Sequence, residues 1–160
     1  MLIHRDSIKA TSVNVGDYTE FESLSVKLVD RQSRSVVVIC VYRSPGPVSS
    51  TFIDQISDLF DQFVLLDCKS VVVGDFNVPG DNVEQLNSHA VDLFNLYNLH
   101  QHVSVPTHVI GNVLDLILSQ DGDVRSPLIS AVSVQSVCFS DHHLLTCNFG
   151  VPLTLPAVMT

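Results

Sequence analysis

The chain has 160 residues, 46% hydrophobic and 16% charged, a one-domain length with material for a sizeable core and too apolar for a disordered chain. Seventeen acidic residues against eight basic ones leave a net charge of −9. That is the wrong sign for a domain whose main task is gripping phosphate backbones, and it is compatible with carboxylates gathered around a cation.

In chain order, Met1–Ala10 reads as the end of a strand entering a loop. Phe21–Asp30 alternates, with Leu24, Val26 and Leu28 on one face, as a half-buried strand does. A polar turn over Asp30–Ser35 joins it to an apolar strand over Val36–Tyr42, making a hairpin that Arg43-Ser-Pro-Gly-Pro47 stops. Ser49 or Ser50 caps a helix with Phe52, Ile56, Leu59 or Phe60, and Phe63 at helical spacing, while Asp54, Asp58 and Asp61 fall on its wet face.

Ser70–Gly74 follows as a strand buried on both faces, and Gly74 lets the backbone turn. Asp75 and Asn77, two apart, project together from an extended segment, with Phe76 anchoring from behind. Such a pair can hold and deprotonate a water molecule, or it can simply satisfy backbone N–H groups in a polar turn. These residues alone leave both readings open.

A second amphipathic helix carries Leu86, Ala90, Leu93 and Tyr97 on one stripe, and Val103–Asn112 is loop-like. Leu114–Leu118 is an apolar strand interrupted by Asp115, a carboxylate that needs a partner if buried, with a histidine as the natural candidate. Asp121-Gly-Asp123 turns the chain, and Leu128–Val134 and Leu144–Phe149 are the last strands. The expected domain covers residues 1–149, with 150–160 a tail or the start of a linker.

Between those strands, Ser140-Asp141-His142-His143 offers Asp141 as a metal ligand. It also offers His142 as an acid, base or phosphate donor whose tautomer Asp115 could fix. His143 reads as a half-buried strand cap. Tyr42 ends its strand as either a phosphate-contacting phenol or a core ring with a wet hydroxyl. His100, His102 and His108 lack a nearby Cys or carboxylate partner and read as polar surface rather than a zinc site. The four cysteines are widely spaced, with no C-x-x-C pair, so reduced thiols are expected and a zinc knuckle is not. With no leader and no apolar run near the ~18 residues of a membrane span, a soluble, intracellular protein is expected.

Val73-Gly-Asp-Phe-Asn77, Val113-Leu-Asp-Leu-Ile117 and Ser140-Asp-His-His143, in that order, resemble the endonuclease/exonuclease/phosphatase superfamily. Val41-Tyr-Arg-Ser-Pro45 and the run from Pro106 through Thr107 and His108 to Asp115 resemble, within it, the endonuclease domains of LINE-type (non-LTR) retrotransposons. The resemblance reaches to about Phe149. It implies a four-layer α/β sandwich of two mixed sheets flanked by helices. The implied chemistry is hydrolysis of a phosphodiester, with DNA as partner, by water and Mg²⁺ or Mn²⁺.

In that scheme Asp75 orients and deprotonates the nucleophile, and Asn77 positions it. Asp141 helps hold the metal, Asp115 orients His142 toward the scissile phosphate, and Tyr42 contacts that phosphate. The family also carries two earlier motifs, an Asn or Asp near its first strand and a metal-ligating Glu. The chain begins after both, so missing N-terminal strands, an open sheet edge prone to self-association, and weak or absent hydrolysis are expected. The alternatives are a non-catalytic retrotransposon remnant and, against the retrotransposon-like loop, a phosphatase of the same superfamily.

Overall fold

The computed structural model describes residues 3–66, 68–82, 85–120 and 127–150. Its larger sheet contains β1 (Lys9–Ser12), β2 (Glu22–Val29), β3 (Ser35–Tyr42), β4 (Ser70–Asp75), β5 (His100–Gln101) and β6 (Asp115–Ser119). Their order is β1-β2-β3-β4-β6-β5, and β7 (Ile129–Gln135) pairs with β8 (Leu144–Phe149) in a second, two-stranded sheet. Helices α1 (Ser50–Val64) and α2 (Ser88–Leu96) complete the mixed α/β architecture. Among the described residues the second sheet is the smaller. The Asp121–Asp123 turn and residues 151–160 of the expected tail lie outside the described residues.

Each junction has a local cause. In the β2–β3 hairpin, Asp30 Oδ1 accepts the N–H groups of Gln32 and Arg34, both at 2.9 Å, and Ser33 takes a φ of 61°. β3 and β4 are parallel, so the chain must cross over between them, and α1 makes that crossing. Ser49 caps α1 by accepting the Phe52 N–H at 3.0 Å. Phe52, Ile56, Leu59, Phe60 and Phe63 are buried along it as the spacing predicts, and Asp54, Asp58 and Asp61 are exposed.

Other expectations are corrected. Asn87 caps α2 through its side chain, so Leu86 precedes the helix, and Phe94 rather than Leu86 joins Ala90 and Leu93 in the core. β5 is too short to leave a periodic signal. Around the middle of β2 the alternation breaks, with Ser25 4% exposed and Leu24 40%. The Ser25 carbonyl accepts the Val13 N–H at 2.9 Å, extending the β1–β2 ladder by one rung. β7 runs one residue later than expected, with an irregular register between Ser130 and Ser133 and a φ of 51° at Ala131.

Side chains alternate across a strand, so the two faces of the larger sheet meet different partners. Val37, Ile39, Val41, Val72, Leu116 and Leu118 lie on one face and join the helices in the core. Leu28, Val38, Cys40, Val73 and Ile117 lie on the other and face Leu145, Cys147 and Phe149 of β8 across an apolar cleft of about 640 Å³. Helix layer, sheet and small sheet make three layers among the described residues. No described helix is long and apolar enough to cross a membrane.

Candidate active site

The end of β4 organises the site. Tyr42 of β3 and Asp115 of β6 are the register partners of Asp75, and Glu22 of β2 is the partner of Tyr42. In-register residues share a face, so Glu22, Tyr42, Asp75 and Asp115 form one row across four strands, on the cleft side. Gly74 makes this possible. It has a φ of 140°, and a Cβ there would lie 1.9 Å from the Val41 carbonyl oxygen, so only glycine lets β4 press this close to β3. Phe76, 1% exposed, points the other way and meets the Phe94 ring edge-on at 6.4 Å, the anchor expected from the alternation.

His142 closes the row from the loop before β8. Its Nδ1 lies 2.8 Å from Asp115 Oδ2, and its Nε2 lies 3.9 Å from Asp75 Oδ2. The carboxylate can only accept, so Nδ1 carries the proton that is donated to Asp115. Asp115, the strand-interrupting acid, thus has the histidine partner its burial demands. Burial works against a charged ring, but the Asp115 hydrogen bond and the charges of Asp115, Asp75 and Asp141 outweigh it and raise the His142 pKa. Asp75 is also raised, first by burial and then by the Asp115 charge, against the opposing pull of His142 and Asn77. Its Oδ1 is buried without a hydrogen-bond partner.

Asn77 is not in extended backbone, as its φ is 47°. Its buried side chain donates from Nδ2 to the Arg43 carbonyl at 2.8 Å and also hydrogen-bonds Asp75, which leaves Oδ1 for anything next to Asp75. Tyr42, between Glu22 and Asp75 in the row, is 46% exposed. Asp141 stands on the far side of His142, its side chain 70% exposed and 3.3 Å from His108 Nε2. Its own backbone N–H and the His108 ring hold its carboxyl below the usual range. The structure therefore brings Asp75, Asn77, Asp115, Asp141, His142 and Tyr42 to one end of the sheet. His143, half-buried, contacts the Pro106 carbonyl through Nδ1 at 3.2 Å, as a strand cap would.

Three participants escape the sequence reading. Arg43 is only 4% exposed. Its guanidinium donates to the carbonyls of Asn77 at 2.6 Å, Gly46 at 3.1 Å and Pro47, and lies over the Phe52 ring at 4.7 Å. It ties the loop after β3 to the loop after β4. The signal was a lone cation at a strand end ahead of a Pro-Gly-Pro turn with carbonyls to satisfy. Thr107, fully buried, accepts the Leu114 and Asp115 N–H groups on its hydroxyl, each at 3.0 Å. His108 is not polar surface. Its ring meets that of His142 edge-on at 4.9 Å, whereas His100 and His102 pack on each other at 4.6 Å.

The donor chemistry fits a divalent cation. Asp75, Asp115 and His142 each offer a ligand atom within 4.8 Å of the others, and so do His108, Asp141 and His142. The unpartnered Asp75 Oδ1 and the Asp75–Asp115 repulsion both call for positive charge there. Neither described glutamate, Glu20 or Glu22, joins these groups.

Residues 36–146 match the endonuclease-reverse transcriptase family. In fold the chain is similar to the endonuclease domain of TRAS1, a telomere-specific non-LTR retrotransposon, at a TM-score of 0.63 and 13% identity over 92% of this chain and 80% of that one. It is similar also to the human Nocturnin catalytic domain with bound sulfate anion (TM-score 0.58, 15% identity, 92% of this chain, 61% of that one). A third likeness is to the 3′ phosphatase NExo from Neisseria bound to product DNA hairpin (TM-score 0.55, 16% identity, 78% of this chain, 64% of that one). The chain thus spans less than two-thirds of the Nocturnin and NExo chains. No curated protein matches it.

Proposed function

The chain belongs to the endonuclease-reverse transcriptase family of the endonuclease/exonuclease/phosphatase superfamily, whose chemistry is metal-dependent phosphodiester hydrolysis, and from that premise we propose that its site hydrolyses nucleic-acid phosphodiesters, as a DNA-nicking endonuclease does. The observation that carries this is the chain of contacts Asp115–His142–Asp75, at 2.8 Å and 3.9 Å.

Asp75 takes the proton from the attacking water, since a carboxylate raised toward neutrality is a better base than an ordinary one. Asn77, hydrogen-bonded to Asp75 and to the Arg43 carbonyl, fixes the water with its amide oxygen. His142, held by Asp115 and kept protonated more readily than a free ring, donates from Nε2 to the scissile phosphate. Tyr42, next to Asp75 in the row and partly exposed, contacts the phosphate. Asp141 would help hold Mg²⁺ or Mn²⁺, which when bound offsets charge building on the phosphate.

Two features of the described residues work against fast hydrolysis. Glu22 sits two strands from Asp75, about 10 Å at ordinary strand spacing, too far to serve as the carboxylate the family uses. The net charge of −9 repels the substrate as well. A phosphatase reading has less support, because the described residues hold no cluster of exposed cations for several phosphates. The test is nicking of a supercoiled plasmid with Mg²⁺ or Mn²⁺ by the wild-type chain and Asp75→Ala. The expected result is nicking lost by at least about 100-fold in the variant. Equal nicking by both would remove Asp75 from its role.

A further inference from the structure

Asp141 poses a problem for any cation it holds. Its side chain is 70% exposed on a loop, and an unrestrained carboxylate must be ordered before it can ligate. Something has to hold it. What touches it is His108, only 13% exposed and donating distance away at 3.3 Å.

The loop carrying His108 is itself fixed. The Thr107 and His108 N–H groups both donate to the Asn112 carbonyl, at 2.9 and 3.2 Å, and Gly111, with a φ of 93°, returns its N–H to the His108 carbonyl at 2.9 Å. Two further backbone bonds join it to the opposite segment, Val109 N–H to the Asp141 carbonyl at 2.9 Å and His143 N–H to the Thr107 carbonyl at 2.7 Å. The Thr107 hydroxyl meanwhile holds the Asp115 N–H. One dipeptide therefore fixes both acids that flank His142.

The ring's tautomer follows from its other contact. The Ile110 N–H points at His108 Nδ1 at 3.2 Å. Nδ1 must then present its lone pair, and in a neutral ring the proton sits on Nε2, facing Asp141 Oδ2. A nitrogen bearing that proton has no lone pair for a cation. Although His108 lies within ligand distance of Asp141 and His142, it is a donor to the carboxylate and not a ligand itself.

We propose that His108 is a positioning residue for the cation site, its Nε2–H holding the Asp141 carboxylate where a divalent ion needs it. The proposal rests on the metal-dependent reading above, and deepens it by naming what orients the ligand. Partners that orient a ligand in this way typically account for about 10–100-fold in metal affinity.

The test is Mn²⁺ and Mg²⁺ binding by calorimetry to the wild type, Asp141→Ala, His108→Ala and His108→Gln, with thermal midpoints of each in EDTA. Glutamine puts an amide N–H near the place of Nε2–H. The expected pattern is binding about 10–100-fold weaker in His108→Ala, restored to within about threefold in His108→Gln, with little change in the metal-free midpoint of either. Wild-type affinity in His108→Ala would overturn the proposal, and so would equal loss in both His108 variants. Co²⁺ spectra of tetrahedral nitrogen ligation that vanish in His108→Ala would overturn it too, by making the ring a ligand. Nitrogen-15 NMR of the metal-free chain should find the Nε2–H tautomer, with its proton resonance lost in Asp141→Ala. The opposite tautomer would refute the hydrogen bond directly. If the wild type binds no cation, the metal-dependent reading falls, while the NMR result still decides the bond between His108 and Asp141.

Discussion

The two faces of the larger sheet are built to different standards. On the helix side Phe52, Ile56, Leu59, Phe60, Phe63, Val72 and Leu118 are each 1% exposed or less. On the other side a two-stranded sheet leaves Leu24, Leu144 and Phe149 at 40%, 50% and 40%, and only half covers Leu28, Cys40, Val73 and Cys147. Stability comes chiefly from the first face, because apolar burial scales with area removed from water. The chemical row Tyr42–Asp75–Asp115 stands at the rim of the second. There Asp75 is buried enough for its pKa to be raised, while the row stays open enough to reach a solvent-borne substrate.

The largest effect should come from the closed face. Phe60→Ala removes a fully buried ring that packs edge-on against Phe94 and Tyr97, and should cost about 3–5 kcal/mol in urea unfolding. A closer comparison uses neighbours in one strand. Val72→Ala, on the helix side, should cost about 2–3 kcal/mol, and Val73→Ala, on the cleft side, about 1 kcal/mol. Equal losses at these adjacent valines would mean that the small sheet packs as tightly as the helices do.

The rim predicts a gain instead of a loss. Asp75 has its folded pKa raised above 3.8 by burial and the Asp115 charge. A raised group contributes stability that is complete below its unfolded pKa and lost as pH rises through the folded value. Asparagine carries no charge to desolvate, so Asp75→Asn should be more stable than the wild type at neutral pH, by about 1 kcal/mol. The gap should close well below pH 3.8, where the aspartate is neutral in both states. The same gap at both pH values would disprove the electrostatic cost assigned to this rim. Lost hydrolysis alongside gained stability would mark the site as the place where the fold concedes stability to function.

How much of this was legible in the sequence divides along the same line. α1 could be read from the 3.6-residue recurrence of Phe52, Ile56, Phe60 and Phe63 and from Ser49, because one helical face and one cap are local facts. Asp115 could be assigned a partner because a carboxylate inside an apolar strand has few alternatives, and His142 supplies it at 2.8 Å. His108 could not be read this way. A loop histidine has no period, and its role depends on a turn that carries it back to Asp141, against which its neighbours in sequence give no hint. Arg43 was hidden for a similar reason, since what it satisfies are carbonyls of two loops that meet only in the folded chain. The start of α2 was misread because the apolar period runs through Leu86 while the Asn87 cap overrides it.

The smallest predicted effect belongs to the half-covered face. Burial raises the Cys40 thiol above 9.0, and it does the same for Cys147 across the cleft. The folded chain therefore keeps these protons to higher pH than the unfolded one. Their contribution is complete below about pH 9 and declines as pH rises through the raised values. Thermal midpoints taken from about pH 8 to 10.5 should fall more steeply for the wild type than for Cys40→Ala/Cys147→Ala. The double variant starts lower because it has lost packing, so the slope is the quantity that decides. Parallel slopes would mean that water already reaches both thiols, and that the cleft is wetter than its apolar lining implies.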